Sequence, residues 1–388
     1  MRTSEYIAEL SKCVRCGSCK AFCPTYDEDL TEPSSARGRL TLLRALLDGR
    51  IEPSPMLIDR VFSCILCGAC ETLCPPRLNI TEAMYHGRNF LRDFDRRRKY
   101  LRLITRFSLK KPMLGYRVAK MLQHVAAPYL LKKGLIPYRV PISSHPLRDD
   151  QQVYKPEKKI GRVAIFTGCS VNFVYPHLGL SLIRVLLRLG FEVVLPRGEV
   201  CCGAPLRSLG LEEEAFEMAR KNHRIFSKLN TDAIVSLCPT CVVSLKVHYP
   251  KLISDSLADV QDISSFLSDK LGDGQQHPLR SFTSVTYHDP CHLRYSLGVR
   301  NEPRQLIRNT GAEFIEAGGE GCCGFGGVFS LQYRDISRNL LKKRIEAYTV
   351  TGARDIITSC PGCMLQLSSG SKESQVFHII ELMEDALC

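Results

Sequence analysis

The sequence has 388 residues, of which 44% are hydrophobic and 24% are charged, with a net charge of +13; these values are typical of a globular protein of two or three domains. No apolar run approaches the roughly 18 to 20 residues that span a bilayer. The positive charge would suit a nucleic-acid partner, but the sequence contains no recognisable DNA- or RNA-binding motif, which argues against one. Nineteen cysteines behind an N-terminus with no apolar signal segment indicate a cytoplasmic protein whose thiols bind metal instead of forming disulfides.

Two identical cysteine runs dominate residues 1–95, which we expect to form the first domain. They are Cys13, Cys16, Cys19 and Cys23 followed by a proline, and Cys64, Cys67, Cys70 and Cys74 followed by a proline. The spacing C-x2-C-x2-C-x3-C-P is that of bacterial two-cluster ferredoxins, in which the fourth cysteine of each run ligates the other cluster. We therefore predict one 4Fe-4S cluster on Cys13, Cys16, Cys19 and Cys74, and a second on Cys64, Cys67, Cys70 and Cys23. Zinc is the alternative, although zinc sites pair two C-x2-C knuckles.

Between the runs, residues 34–47 are predicted to form a helix whose leucines lie at helical spacing and belong to the core. Arg37 and Arg39 stand near its start. Guanidinium groups beside an anionic cluster would stabilise added electrons; a solvated helix start is the other interpretation.

Residues 96–158 contain many lysines and arginines among apolar residues and no cysteine. We predict a basic connector of two or three short helices, broken near Pro112, Pro128 and Pro137. Such a segment fits docking on an anionic membrane face or on an acidic partner subunit. The alternative is a solvated basic face that packs across the protein's own domains.

The remaining chain repeats one module of five cysteines, predicted at 159–278 and 279–388 and joined by a linker at 272–278. The cysteines are Cys169, Cys201, Cys202, Cys238 and Cys241 in the first module, and Cys291, Cys322, Cys323, Cys360 and Cys363 in the second. Their gaps agree to within one residue, and 163–167 aligns with 284–288. Predicted strands at 163–166, 191–195, 233–237, 285–287, 313–316 and 356–358 alternate with helices. This pattern indicates parallel sheets with the cysteines at one edge.

Each module offers five thiolates, whereas a cubane 4Fe-4S cluster takes one per iron, four in all. The adjacent pairs Cys201-Cys202 and Cys322-Cys323 could bridge neighbouring irons of an opened cluster, so we expect one or two further 4Fe-4S clusters, cubane or noncubane. The following glycines, Gly203 and Gly324, let the backbone approach the sulfides. Buried structural thiols or zinc are the alternative.

Two histidines flank Cys291 in the second module. His288 and His292 could carry protons to a reduced substrate, or each could be a structural histidine. Cys388 fits no pattern and is expected to be free.

These motifs, with the sequences around Arg37, Cys291, Cys322 and Cys360, resemble the iron-sulfur subunits of glycolate oxidase and D-lactate dehydrogenase. They also resemble heterodisulfide reductase subunits, which fuse a two-cluster ferredoxin to paired cysteine-rich (CCG) domains. The resemblance implies a mixed fold: a helical two-cluster ferredoxin-type domain, then a duplicated α/β CCG domain with a pseudo-twofold repeat.

The resemblance implies an electron-transfer subunit that binds no flavin itself. It would receive electrons from an FAD-containing dehydrogenase subunit that oxidises a 2-hydroxy acid, and would pass them to a quinone or other acceptor. We expect the protein itself in the cytoplasm, either free or peripherally bound to the cytoplasmic face of the membrane. Both modules are complete here, which leaves a second hypothesis open: a disulfide reductase with catalytic clusters on Cys201, Cys202, Cys322 and Cys323. The third hypothesis is a protein that serves in protein–protein interaction and whose cysteines bind structural zinc.

Overall fold

The computed structural model describes residues 3–134, 136–149, 152–272, 279–319 and 321–388. The predicted linker at 272–278 lies outside these ranges except for its first residue. Among the described residues, no helix is both long and apolar enough to cross a membrane.

The N-terminal part is helical. Its α-helices are α1 Thr3–Ser11, α2 Tyr26–Asp29, α3 Ala36–Leu47, α4 Pro55–Phe62, α5 Ala69–Thr72 and α6 Ile80–Leu91, with 3-10 turns at Ser18–Lys20 and Glu32–Ser34. Helix α3 begins two residues later than predicted because the Ser35 side chain accepts a hydrogen bond from the Gly38 amide and caps it. Leu40, Leu43 and Met84 lie in the core formed between α3, α4 and α6.

The connector contains three helices, as predicted: α7 Lys99–Lys110, α8 Pro112–Val125 and α9 Ala127–Lys132. Pro112 and Pro128 both lie in the first turn of a helix, where a missing amide hydrogen costs nothing. Helix α7 packs with one face against the first cysteine-rich module, where Leu101 and Leu109 contact the core.

The two modules form two sheets. Their strands are β1 Val153–Tyr154, β2 Gly161–Ile165, β3 Phe191–Val194, β4 Ala233–Ser236 and β5 Val260–Asp262, then β6 Ser284–His288, β7 Glu313–Phe314, β8 Asp355–Thr358 and β9 Gln375–His378. The first sheet has the order β1-β3-β2-β4-β5 and the second β7-β6-β8-β9. All pairs are parallel except β1 with β3. Apart from the additional β1, both sheets have the same strand order, which confirms the duplication.

Helices cover both sheets. In the first module they are α10 Gly168–Phe173, α11 Pro176–Arg188, α12 Ala204–Ser208, α13 Glu212–Phe226, α14 Pro239–Val243, α15 Tyr249–Ile253 and α16 Ile263–Leu271. In the second they are α17 Asn301–Asn309, α18 Phe329–Gln332, α19 Arg334–Thr349, α20 Pro361–Gly370 and α21 Ile379–Leu387. One π-helical turn follows a cysteine in each module, at Ser244–His248 and His292–Ser296.

The modules pack around a pseudo-twofold axis. Helix α11 of the first module contacts α21 of the second, and α16 of the first contacts α17 of the second. In each contact, a helix that follows the first parallel strand of one module packs on the last helix of the other module. Leu182, Leu267, Leu306 and Leu382 from these four helices share one continuous core. The predicted pseudo-twofold repeat is therefore present.

The strand register corrects the sequence alignment of the repeat. Val163 pairs with Ala233 in the first sheet, and Val285 pairs with Asp355 in the second. Val163 thus corresponds to Val285, so the alignment of 163–167 with 284–288 was wrong by one residue. In the corrected alignment, Phe166 of the first module occupies the same position as His288 of the second. The error arose because both strands are apolar, so a shift by one residue leaves the sequence similarity almost unchanged.

A buried ion pair joins the N-terminal part to the first module. The carboxylate of Glu82 on α6 accepts a hydrogen bond from Arg207 Nη2 at 2.8 Å and lies 2.8 Å from His248 Nδ1. All three side chains are at most 9% exposed.

The domain boundaries at 95, 158 and 278 stay predictions.

Candidate iron-sulfur sites

Two cavities in the N-terminal part are each lined by four cysteines. One cavity is lined by Cys13, Cys16, Cys19 and Cys74, and the other by Cys23, Cys64, Cys67 and Cys70. The fourth cysteine of each run therefore lies with the first three of the other run. Ile80 lines both cavities, so the two sites are neighbours.

The backbone repeats the same conformation in both runs. Arg15 and Leu66, each just before the second cysteine, have positive φ values of 58° and 62°. The glycine after that cysteine, Gly17 or Gly68, is also left-handed. Two non-glycine residues held in this sparsely populated region indicate a loop whose shape is set by what it encloses.

The chemistry of the donors fits an iron-sulfur cluster. Burial raises the pKa of Cys67 and Cys70 well above that of a free thiol. The thiolate form that binds metal is therefore stable there only with a compensating positive charge, which iron supplies.

Both arginines singled out from the sequence lie at these cavities. Arg37 lines the first cavity, where its Nη1 donates to the Arg15 carbonyl at 2.9 Å and its Nε pairs with Glu32. Arg39 lines the second cavity and is 1% exposed, so a solvated helix start is wrong for Arg39.

The thiols of the two modules lie next to one another in one continuous series. From one end of the series to the other they are Cys169, Cys201, Cys202, Cys241 and Cys238 in the first module, then Cys360, Cys363, Cys323, Cys322 and Cys291 in the second. Cys323 Sγ and Cys363 Sγ are 3.5 Å apart. Cys238 and Cys360 are neighbours in this series, and there the two modules meet. All ten sulfurs lie at the carboxyl edges of the sheets, as predicted.

Neighbouring thiols also set the charge of individual sulfurs. The neighbouring thiols of Cys201 and Cys241 hold the pKa of Cys202 well below its ordinary value. The neighbouring thiols of Cys291 and Cys323 do the same for the pKa of Cys322. One member of each adjacent pair is therefore stabilised as a thiolate, the form that binds metal.

The glycine after each pair turns the chain tightly. Gly203 has a φ of 88° and Gly324 a φ of 82°. A Cβ at Gly324 would stand 2.5 Å from the Ser337 carbonyl oxygen, whereas one at Gly203 would stand 3.3 Å from Ala215. The second turn is thus the more tightly enclosed.

The second ferredoxin-type cavity lies against the second module. Cys67 and Cys291 pack on the same small cluster, formed by Ile65, Cys322 and Phe329. The charges of Cys67 and Cys322 affect one another, which is a further sign of proximity.

His292 ties three parts of the chain together, a role that the sequence did not reveal. Its Nε2 lies 3.0 Å from the Leu66 carbonyl, and its Nδ1 lies 2.8 Å from Thr240 Oγ1. A carbonyl only accepts, so Nε2 carries the hydrogen and Nδ1 accepts from Thr240. Both nitrogens are occupied, which favours the structural interpretation of His292.

Comparison with protein families agrees with this geometry. A 4Fe-4S dicluster domain matches residues 9–78, and a cysteine-rich domain (CCG) matches twice, at 163–246 and 285–368. These matches confirm the predicted fold class and show that the protein carries several iron-sulfur clusters.

Three relatives cover nearly all of the chain. A fumarate reductase (CoM/CoB) subunit from Methanothermobacter marburgensis is 29% identical over 97% of this chain and 72% of its own length. The probable glycolate oxidase iron-sulfur subunit of Bacillus subtilis is 28% identical over 97% and 94%. A subunit of the dihydromethanophenazine:CoB--CoM heterodisulfide reductase of Methanosarcina barkeri is 29% identical over 99% and 96%.

Among solved structures, a hypothetical protein from Helicobacter pylori shares the fold, with a TM-score of 0.50 and 10% identity over 92% of this chain and 69% of its own. The relatives with assigned activities are subunits of oxidoreductases. The protein thus has a 4Fe-4S dicluster domain followed by two cysteine-rich domains, and over nearly its whole length it is similar to iron-sulfur subunits of oxidoreductases.

Proposed function

We propose that this protein is the electron-transfer subunit of a flavin-dependent 2-hydroxy acid dehydrogenase complex, with glycolate or D-lactate as the substrate of its partner. An FAD-containing subunit would deliver electrons, and a quinone or other acceptor would receive them. The observation that carries the proposal is the unbroken succession of cysteine sites from the N-terminal part into both modules.

We assign one 4Fe-4S cluster to Cys13, Cys16, Cys19 and Cys74, a second to Cys23, Cys64, Cys67 and Cys70, and one more to each module's five cysteines. When bound, such clusters accept and release single electrons, which allows the two electrons of a flavin hydride to be divided. The protein's own contribution is spacing. The charges of Cys19 and Cys23 affect one another across the first two sites, Cys67 adjoins Cys322, and Cys238 contacts Cys360, so no gap separates consecutive sites.

The connector supplies a docking surface, for which we propose an anionic bilayer as the occupant. Residues 96–134 contain twelve lysines and arginines and no acidic residue. Six apolar side chains on these helices are more than 60% exposed: Tyr100, Leu103, Ile104, Met121, Val125 and Tyr129. Exposed apolar residues beside cations match the acyl boundary and the headgroups of an anionic membrane face.

The charges of the connector support this choice. Arg97, Arg98, Arg102, Arg106 and Lys110 form ion pairs with carboxylates of the protein. For the other seven cations, the described residues supply no carboxylate partner. Those seven remain available to lipid headgroups, each worth about 1 kcal/mol near an anionic surface.

Sedimentation with vesicles tests the docking surface. The full-length holoprotein should pellet with phosphatidylserine-containing vesicles and not with pure phosphatidylcholine. The double variant Ile104→Ser, Val125→Ser should lose this binding, while Val350→Ser, which alters an 87% exposed apolar residue elsewhere, should keep it. Equal binding by both variants, or binding only to an isolated flavoprotein subunit, would show that the connector faces a protein instead.

A second candidate function is disulfide reduction at the modules, with Cys201, Cys202, Cys322 and Cys323 holding the reactive clusters. The continuous series of ten thiols, eight of them buried, favours it, since electron transfer alone needs no adjacent cysteine pairs.

One experiment separates the two functions. The complex is purified anaerobically through this chain, and its iron and flavin contents are measured. Addition of glycolate or D-lactate should then generate the paramagnetic signals of reduced clusters, with up to about sixteen irons per chain if all four sites are loaded. A flavin-free preparation that reduces a disulfide with a dye donor alone would instead establish the second function.

A further inference from the structure

His288 has one ring nitrogen that faces the cysteines of the second module. The residue ends strand β6 and is 1% exposed. Its Nδ1 lies 2.6 Å from the hydroxyl of Tyr348, whereas its Nε2 is buried and has no partner among the described residues. One ring nitrogen of His288 and the sulfurs of Cys323 and Cys363 lie within 4.8 Å of one another.

The position of the proton on His288 follows from its neighbours. The guanidinium of Arg344 lies over the Tyr348 ring, 4.7 Å from its centroid, and a guanidinium only donates, so among the described residues His288 Nδ1 is the one acceptor within hydrogen-bond distance of the tyrosine hydroxyl. The tyrosine's own proton is then free to be donated to Nδ1. The other nitrogen, Nε2, therefore carries a hydrogen that it does not donate to any described group, which leaves a buried donor unsatisfied.

We infer that the Nε2–H of His288 donates a hydrogen bond to sulfur of the iron-sulfur site at Cys323 and Cys363, and that His288 thereby raises the reduction potential of the second module above that of the first. The inference rests on the proposal that the second module holds a cluster. His288 acts as a positioning and tuning residue and forms no bond to iron.

The first module lacks this donor. The corrected strand register places Phe166 at the position of His288, and a phenyl ring cannot donate. Hydrogen bonds to cluster sulfur stabilise the reduced, more negative state and are among the main determinants of cluster potential. The two modules therefore differ chemically in spite of having the same set of cysteines, and the second is the easier to reduce.

The test is an anaerobic redox titration of the full-length holoprotein, monitored by electron paramagnetic resonance. His288→Phe copies the first module, and it should lower the midpoint potential of one module signal while the iron content stays at the wild-type value. His288→Gln restores an amide donor and should recover most of the shift. A spectral coupling to an exchangeable proton, present in wild type and lost in the phenylalanine variant, would identify the hydrogen bond directly.

His378 provides the matched control. It is equally buried, but its Nε2 lies 3.0 Å from the Leu237 carbonyl and its Nδ1 accepts from the Ile380 amide, so it has no free donor. His378→Gln should leave the midpoint potential unchanged. An unchanged potential in His288→Phe with full iron would refute the inference alone. Wild-type protein without module iron would refute the cluster proposal on which it rests.

Discussion

Cys238 in the first module lies next to Cys360 in the second, and each thiol affects the pKa of the other. Each residue opens the helix that follows the third parallel strand of its module, in the motifs Cys-Pro-Thr-Cys and Cys-Pro-Gly-Cys. The pseudo-twofold packing of α11 on α21 and of α16 on α17 brings these two motifs together. The modules are therefore a paired site, and a change in one should affect the other.

Removal of one sulfur from the second module should interrupt electron delivery. Cys323 is central because it contacts both Cys322 and Cys363. Cys323→Ala should abolish reduction of the acceptor by the assembled complex, while the two N-terminal clusters remain reducible by dithionite, as judged by electron paramagnetic resonance. Cys388→Ala, which alters the exposed cysteine outside every motif, should retain full activity. Full activity in the Cys323 variant would mean that the second module has only a structural role.

The two cysteine-pair turns should differ in their tolerance of a methyl group. Both Gly203→Ala and Gly324→Ala force a non-glycine residue into a positive φ, at a cost of about 1 to 3 kcal/mol. Only Gly324→Ala also places its Cβ 2.5 Å from backbone, at Ser337. We expect the Gly324 variant to lose module iron and unfold at a distinctly lower temperature, and the Gly203 variant to keep its iron and show a smaller drop in unfolding temperature. Equal losses of iron and of thermal stability in the two variants would show that the backbone strain of the positive φ causes the effect, and not the contact with Ser337.

Much of the site could be predicted from the sequence because cysteine spacing is local chemistry. The exchange of Cys23 and Cys74 between the two runs follows from a motif in which each short loop can supply only three ligands to one cluster. The edge position of the module cysteines follows from parallel βα units, whose loops all gather at the carboxyl ends.

The contacts between domains could not be predicted in this way. The meeting of Cys238 with Cys360 depends on how α11 and α21 pack, which no local pattern encodes. Strands β1, β5 and β9 were not predicted from the sequence. The different roles of His288 and His292 depend on Tyr348, Thr240 and Leu66, all distant in sequence.

Neutralising Glu82 should weaken the attachment of the N-terminal part. Glu82→Gln leaves the buried Arg207 with only the longer, 3.3 Å contact to Glu212 as a charged partner, and breaking a buried pair costs up to about 3 to 5 kcal/mol. Anaerobic thermal unfolding at pH 7 measures the effect. Lys342→Ala, which removes an exposed pair with Glu346, should change stability by less than about 0.5 kcal/mol. A loss for Glu82→Gln no larger than that of this control would contradict the prediction.

The Glu82 effect should depend on pH with a definite sign. Burial alone would raise the pKa of Glu82, but hydrogen bonds from His248 and Arg207 outweigh it and hold the pKa well below its ordinary value. A carboxyl with a depressed folded-state pKa contributes its full stability above the unfolded pKa of about 4.3 and loses it as the pH falls further. The difference between wild type and Glu82→Gln should be constant from pH 8 to pH 6 and should narrow only as the pH approaches 4.

His292 offers a way to separate docking from cluster content. Its two hydrogen bonds, to the Leu66 carbonyl and from Thr240, connect the loop of the second N-terminal site to both modules. His292→Phe removes both bonds, each worth about 1 kcal/mol, without removing a cysteine. We expect unchanged iron content and unchanged potentials, but slower reduction of the module clusters by the N-terminal clusters in rapid-freeze measurements. Thr240→Val removes only one of the two bonds and should give a smaller slowing in the same direction. If His292→Phe instead lost iron from the second module, His292 would belong to the cluster site itself and not to the contact between domains.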